Sequence, residues 1–129
     1  MEDMLPETKY DGNDESMLLA LGKLIEEHKG AGVTVMDLRQ MNTWTDFFII
    51  ATASSNTHLE GLDRHIREFI REQELEIIRR SPRISGNDEE WRIIDLGAIV
   101  IHLMSTRARS FYELERLYPP PLARIIYPG

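Results

Sequence analysis

The sequence predicts an α/β protein built as one domain, with a mixed sheet of about five strands flanked by helices. Three observations predict it. Apolar residues recur at helical spacing in two separate stretches, around 17–28 and 59–70. Short β-branched runs lie between and after those stretches, so helices alternate with strands rather than following a block of them. A length of 129 residues suits a single core.

The chain opens with a polar stretch over 1–15 that holds Pro6 and Gly12 and is expected to be a loose acidic leader. Met17, Leu21, Leu24, Ile25 and His28 then form one stripe of an amphipathic helix, with Ser16 as its cap and Gly30 or Gly32 as its end. Val33–Leu38 follows as a first strand. Phe47–Ala53 is apolar on both faces, which fits a central strand. Asn56 or Thr57 opens a second helix, with Thr57 and Glu60 at capping-box spacing and Leu59, Leu62, Ile66, Phe69 and Ile70 facing inward, running to about Gln73.

Glu76–Arg80 reads as a short strand, and Ser81–Glu90, with Pro82, Gly86 and Asn87, as a polar loop. Trp91–Asp95 and Ala98–Met104 are two β-rich runs joined at Leu96-Gly97, where glycine supplies positive φ without strain. Phe111, Leu114, Leu117 and Tyr118 mark a third helix that Pro119, Pro120 and Pro121 stop. The expected organisation is a leader over 1–15, a folded domain over 16–118 and a Pro-rich tail over 119–129.

Composition narrows the function. No apolar run approaches the roughly 18 residues of a membrane span. The start lacks the pattern of a secretory signal, so a cytoplasmic address is expected. The chain has no cysteine, which removes disulfides, iron–sulfur clusters and thiol nucleophiles. A net charge of -7 argues against a protein held mainly by phosphates, so its partner is expected to be protein, with no DNA and no membrane. Eight acidic residues against three lysines in positions 1–30 give an acidic first segment that suits either a solvated surface or a basic partner.

Chemical motifs are sparse. His58 and His65 lie seven apart, whereas helical zinc pairs usually lie four apart with a third ligand nearby, so no metal site is expected. His102 stands in an apolar strand and reads as a buried structural histidine. No nucleophile elbow and no phosphate-cradling glycine loop occurs. Asp37, Asp46 and Asp95 fall at strand ends, where they could hold magnesium together or simply terminate strands. Asp37 lacks a second carboxylate two residues on that would share its face. No catalytic residue and no cofactor are therefore expected.

One feature points to binding. Leu96 sits at a hairpin tip where Asn, Asp or Gly is usual, so its side chain is expected at the surface. Trp91 starts the same hairpin after Asp88-Glu89-Glu90, and tryptophan at a strand end is a common interface anchor. Either these residues form a binding patch, or Trp91 packs inward and Leu96 folds over an edge.

At these residues the sequence resembles a known family. Trp91-Arg-Ile-Ile-Asp95-Leu96-Gly97-Ala-Ile-Val-Ile-His102 is similar to the W-x-x-x-D-x-G-D-x-I-V-H core of Iojap-like ribosomal silencing factors. Other blocks agree in order: Asp37 with the first-strand V-D, Thr45–Ala51 with S-x-T-D-x-F-V-I-A, Ser54, Ser55 and His58 with G-T-S-x-R-H, and Arg109–Leu117 with R-x-x-Y-x-L-E-x-L. The pattern departs at Ala53, Thr57, Ala98 and Tyr118, where the family has glycine, arginine, aspartate and tryptophan.

The resemblance implies a nucleotidyltransferase-like fold without the catalytic carboxylate pair. It further implies a translational repressor that binds the large ribosomal subunit through a ribosomal protein on the intersubunit face and sterically blocks joining of the small subunit. A role in ribosome biogenesis or hibernation under nutrient limitation, limited rRNA contact, and homodimers of the free protein belong to the same expectation. Trp91 and Leu96, with Asp95 and Gly97 shaping the turn, would be the partner-binding residues. Two alternatives stand beside it: a magnesium-dependent nucleotidyltransferase using Asp37, Asp46 and Asp95, and a homodimeric scaffold whose Trp91 and Leu96 patch serves self-association alone.

Overall fold

The computed structural model describes residues 15–41, 45–77, 90–117 and 124–128. A first helix, α1 (Glu15–Glu27), buries Met17, Leu21 and Ile25 of the expected stripe completely, with Leu18 beside them, while Leu24 and His28 are half-buried. It ends where Lys29 takes φ 73° and the Gly30 N–H returns to the Ile25 carbonyl at 2.8 Å. Gly30 is required there, because a Cβ would lie 2.3 Å from Cγ2 of Ile25.

Strands β1 (Ala31–Asp37) and β2 (Phe47–Ala53) pair antiparallel. From β2 the chain enters α2 (Asn56–Glu72), whose N-cap is Ser55, its side chain accepting from the His58 N–H at 3.0 Å. Then β3 (Trp91–Asp95) turns into β4 (Ile99–Ser105), which lies parallel to β2. A short helix, α3 (Thr106–Tyr112), and a 3₁₀ turn, Leu114–Leu117, precede β5 (Arg124–Pro128). The strand order is β3-β4-β2-β1-β5. Among the described strands only the β2–β4 pair is parallel, so the sheet is mixed: four strands, β1 to β4, carry it and β5 lies along the outer edge of β1.

Alternation along the strands divides the core in two. On one face Val33, Val35, Phe47, Ile49, Ile94, Ile99, Ile101 and Leu103 meet α1 and α2. On the other, Met36, Phe48, Ile50, Val100 and Met104 meet Ala108 of α3 and Leu114 of the 3₁₀ turn. This explains why β2 is apolar without alternation: it is covered on both faces. Arginines fasten the outer layers. Arg92 of β3 reaches Asp63 of α2 at 3.3 Å, and Asp63 also accepts from Arg67 at 3.1 Å. On the opposite face Arg109 of α3 donates to the hydroxyls of Thr52 and Thr34, each at 3.1 Å, and to Glu115 at 2.6 Å.

Several expectations change. Glu76 and Ile77 lie outside any strand, and the rest of the expected strand Glu76–Arg80 falls outside the described residues. So do most of the leader and the loop up to Glu89, while Glu15 already belongs to α1. Helix α2 opens at Asn56 as expected, but its cap is Ser55 and not Thr57 of the capping-box spacing. The third helix begins at Thr106, because Ser105 caps it by accepting from the Ala108 N–H at 3.0 Å. It stops at Glu113, whose φ of 48° is left-handed, well before the prolines. Part of the expected tail, Arg124–Pro128, is a strand, since the open edge of β1 offers backbone partners that local propensity does not announce.

Candidate functional site

The sheet face that carries α3 holds a run of contacting rings, Phe48, His102, Trp91, Tyr112 and Phe111. Trp91 lies opposite Met104, and Ile93 opposite His102, so on this face the edge strand β3 sets an indole and an isoleucine beside β4. Half-buried Trp91 donates its indole N–H to Nδ1 of His102 at 3.1 Å. Its ring also leans on Tyr112 of α3, with centroids 4.6 Å apart, and Tyr112 meets Phe111 edge to face at 4.9 Å. Phe111 is 76% exposed and Tyr112 37%, so the row of rings climbs from the sheet into solvent. Arg107 and Arg116 stand on the same segment, paired with Glu90 and Glu113.

His102 is the buried end of that row. It meets the Phe48 ring nearly edge-on at 4.6 Å, and Ile50 and Ile93 are its partners across the sheet. Desolvation by burial lowers its pKa to about 4, so the ring is neutral at ordinary pH.

The hairpin residues do something different. Leu96 is only 9% exposed and belongs to the core under α1 and α2, so the expectation of a solvent-facing side chain is corrected. Burial of an apolar side chain at a turn is favoured when the chain bends back over its own sheet, and the Leu96 N–H bonds the Ile99 carbonyl at 2.8 Å to close that bend. Gly97 supplies φ 91°, and its N–H is held by Oδ1 of Asp95 at 2.8 Å. The Thr45 hydroxyl donates to the Gly97 carbonyl at 2.9 Å, tying the turn to the start of β2. Trp91 and Leu96 thus belong to opposite faces of the sheet and, at roughly 3.3 Å per residue along a strand, stand about 16 Å apart. They do not form one patch.

The sequence marks Phe111 as part of a third helix and does not single out Tyr112. With Ser105 as the cap of a seven-residue helix, Ala108 is buried, while Phe111 falls in the last turn and stays exposed. Ser105 followed by a helix-compatible run was the available signal.

The other candidates are occupied by structural work. Asp37 is bound bidentately by Arg39 at 3.0 and 2.7 Å. The strand pairing puts Asp37 and Asp95 at the same end of the sheet as the start of β2, yet among the described residues no group of three or more His, Asp or Glu is placed to hold a metal ion. His58 accepts from the Ser54 N–H at 2.9 Å and donates through Nε2 to the His28 carbonyl at 2.8 Å, while His65 stacks on His28 at 3.7 Å. A cleft of about 430 Å³ opens between the starts of α2 and α3, but its one arginine, Arg107, is already engaged by Glu90. Among the described residues, no helix is long and apolar enough to cross a membrane.

Comparison with known proteins bears on the same segment. The family model described as "Ribosomal silencing factor during starvation" matches residues 12–124. A ribosomal silencing factor of Treponema pallidum is 33% identical over 99 residues, covering 77% of this chain and 86% of that protein. The chloroplastic Iojap protein of Zea mays is 27% identical over 117 residues, 88% of this chain but 50% of that protein, so the chain spans about half its length. A crystal structure from Chromobacterium violaceum superposes with a TM-score of 0.71 over 80% of this chain and 83% of that one, at 23% identity, a likeness of fold alone.

Proposed function

This chain belongs to the family of ribosomal silencing factors during starvation, and on that premise we propose that it represses translation by binding the large ribosomal subunit and occluding the small one. Contact is made through a ribosomal protein at the intersubunit face, with limited rRNA contact, in the cytoplasm. The free protein forms a homodimer, and the same binding serves ribosome hibernation or biogenesis when nutrients are short.

The observation that carries this proposal is the exposed ring row Trp91, Tyr112 and Phe111, raised on a clamped helix beside an edge strand. Aromatic groups that are partly pre-buried and partly exposed are the usual anchors of protein interfaces. Trp91 is the direct contact, and Asp95, Leu96 and Gly97 act by shaping the turn at the other end of β3. No catalytic step enters the mechanism, because a bound domain excludes the small subunit by volume. Two of the three expected carboxylates do not support the nucleotidyltransferase alternative either, as Asp37 is committed to Arg39 and Asp95 to the Gly97 N–H.

Sedimentation of the purified protein with each isolated subunit tests this. It should travel with large subunits at about one copy each and stay at the top of the gradient with small ones. Because the chain carries a net charge of -7, the affinity should fall only shallowly with salt. Equal binding to both subunits, or a steep salt slope, would point instead to nonspecific attachment to RNA.

A further inference from the structure

The imidazole of His102 is fully engaged at one nitrogen and orphaned at the other. An indole N–H can only donate, so at 3.1 Å Nδ1 of His102 must accept, and the ring proton sits on Nε2. Nε2 is buried and has no hydrogen-bond partner among the described residues. Packing alone gives no reason for a polar ring here, since an apolar side chain would fill the same space between Ile50 and Ile93 without stranding a donor. What the imidazole supplies is an acceptor for Trp91.

Resting on Trp91 as the docking residue, we propose that His102 is a positioning residue: its Nδ1 holds the indole in the orientation that the partner meets. Trp91 lies at the start of an edge strand and is half-buried, so nothing in the backbone pairing fixes its side-chain torsions. Two contacts do. His102 takes the N–H from the sheet side, and Tyr112 leans on the ring from α3. Together they direct the only polar edge of the indole into the sheet and leave its apolar surface for the partner. The partner group that meets Trp91 is therefore aliphatic or aromatic, not a carbonyl or carboxylate seeking a donor. A ring held before the encounter also loses less side-chain entropy on binding than one that must be ordered by it.

Four full-length variants decide the matter: His102→Leu, His102→Asn, His102→Met and Trp91→Ala. Each is examined by urea unfolding, by sedimentation with large subunits and, with ¹⁵N label, by solvent exchange of the Trp91 indole proton. In His102→Leu the indole proton should exchange at least about tenfold faster and affinity should drop about tenfold, while the urea midpoint holds or rises. His102→Asn places an amide oxygen where Nδ1 was, so it should recover slow exchange and most of the affinity even though a buried amide lowers stability. Affinity and stability then rank in opposite order across the two variants, which a merely structural histidine does not produce. His102→Met provides the same apolar comparison should the leucine variant not fold. Wild-type affinity in the apolar variants, with Trp91→Ala weakened, overturns the positioning role alone. Wild-type affinity in Trp91→Ala overturns the docking surface and the positioning role together.

Discussion

Trp91→Ala should weaken binding to the large ribosomal subunit by about thirtyfold, on the order of 2 kcal/mol, and leave a cooperatively folded protein. Its indole is half-buried at the edge of the sheet, so removing it exposes Tyr112 and Met104 without opening the main core. Leu96→Ala should behave in the opposite way. Leu96 is 9% exposed and packed into the core beneath the helices, so truncation should cost about 2 to 3 kcal/mol of stability, with affinity preserved in the fraction that stays folded. Urea midpoints and sedimentation affinities measured on both variants separate the two roles. If Leu96→Ala bound weakly at full stability, the turn itself would be a contact and the ring row would not be the centre of the surface.

Acid should loosen the same region. His102 has a pKa lowered to about 4 by burial, against 6.5 in the unfolded chain, so between those values the unfolded state binds the extra proton and the folded state does not. Stability is therefore full above pH 6.5, falls as pH drops toward 4, and gains no further loss from this group below that. The shift corresponds to about 3 kcal/mol at most. Carboxylates and the other histidines add slopes of their own, so the informative quantity is the difference between wild type and His102→Leu. Wild type should lose about 3 kcal/mol more than the variant between pH 7 and pH 4. Parallel stability curves would show that His102 is protonated in the fold without penalty.

Much of this architecture is written locally. Phe47–Ala53 declares a central strand because it is apolar on both faces, and Gly97 declares its turn because few other residues accept φ 91°. The second helix follows from its spacing, although its cap is set by Ser55 and not by the residues just after it. What stays hidden depends on distant partners. Arg124–Pro128 follows a proline triplet and looks like a tail, and it becomes a strand only because β1 has an unpaired edge. Glu76–Arg80 has strand-like composition, but at Glu76 and Ile77 no strand forms.

The proposed docking surface is legible in part for the same reason. Trp91 stands out in the sequence, whereas its link to Tyr112 and Phe111 depends on α3 lying against the sheet, where Arg109 bonds Thr52 and Thr34. Hairpin statistics place Leu96 in solvent because they describe exposed tips, whereas this tip folds back onto the core. His102 reads as a core histidine from its strand, and only the hydrogen bond to Trp91 reveals what its nitrogen is for.

Subunit joining followed by light scattering tests the silencing role most directly. Isolated large subunits are incubated with increasing amounts of the purified protein, small subunits are added, and the amplitude and rate of joining are recorded. Joining should fall in proportion to large subunits occupied and vanish near one bound copy per subunit, while protein added after joining should have far less effect. Unimpaired joining at saturating protein would contradict silencing, and inhibition at far below one copy per ribosome would show a catalyst in place of a steric block.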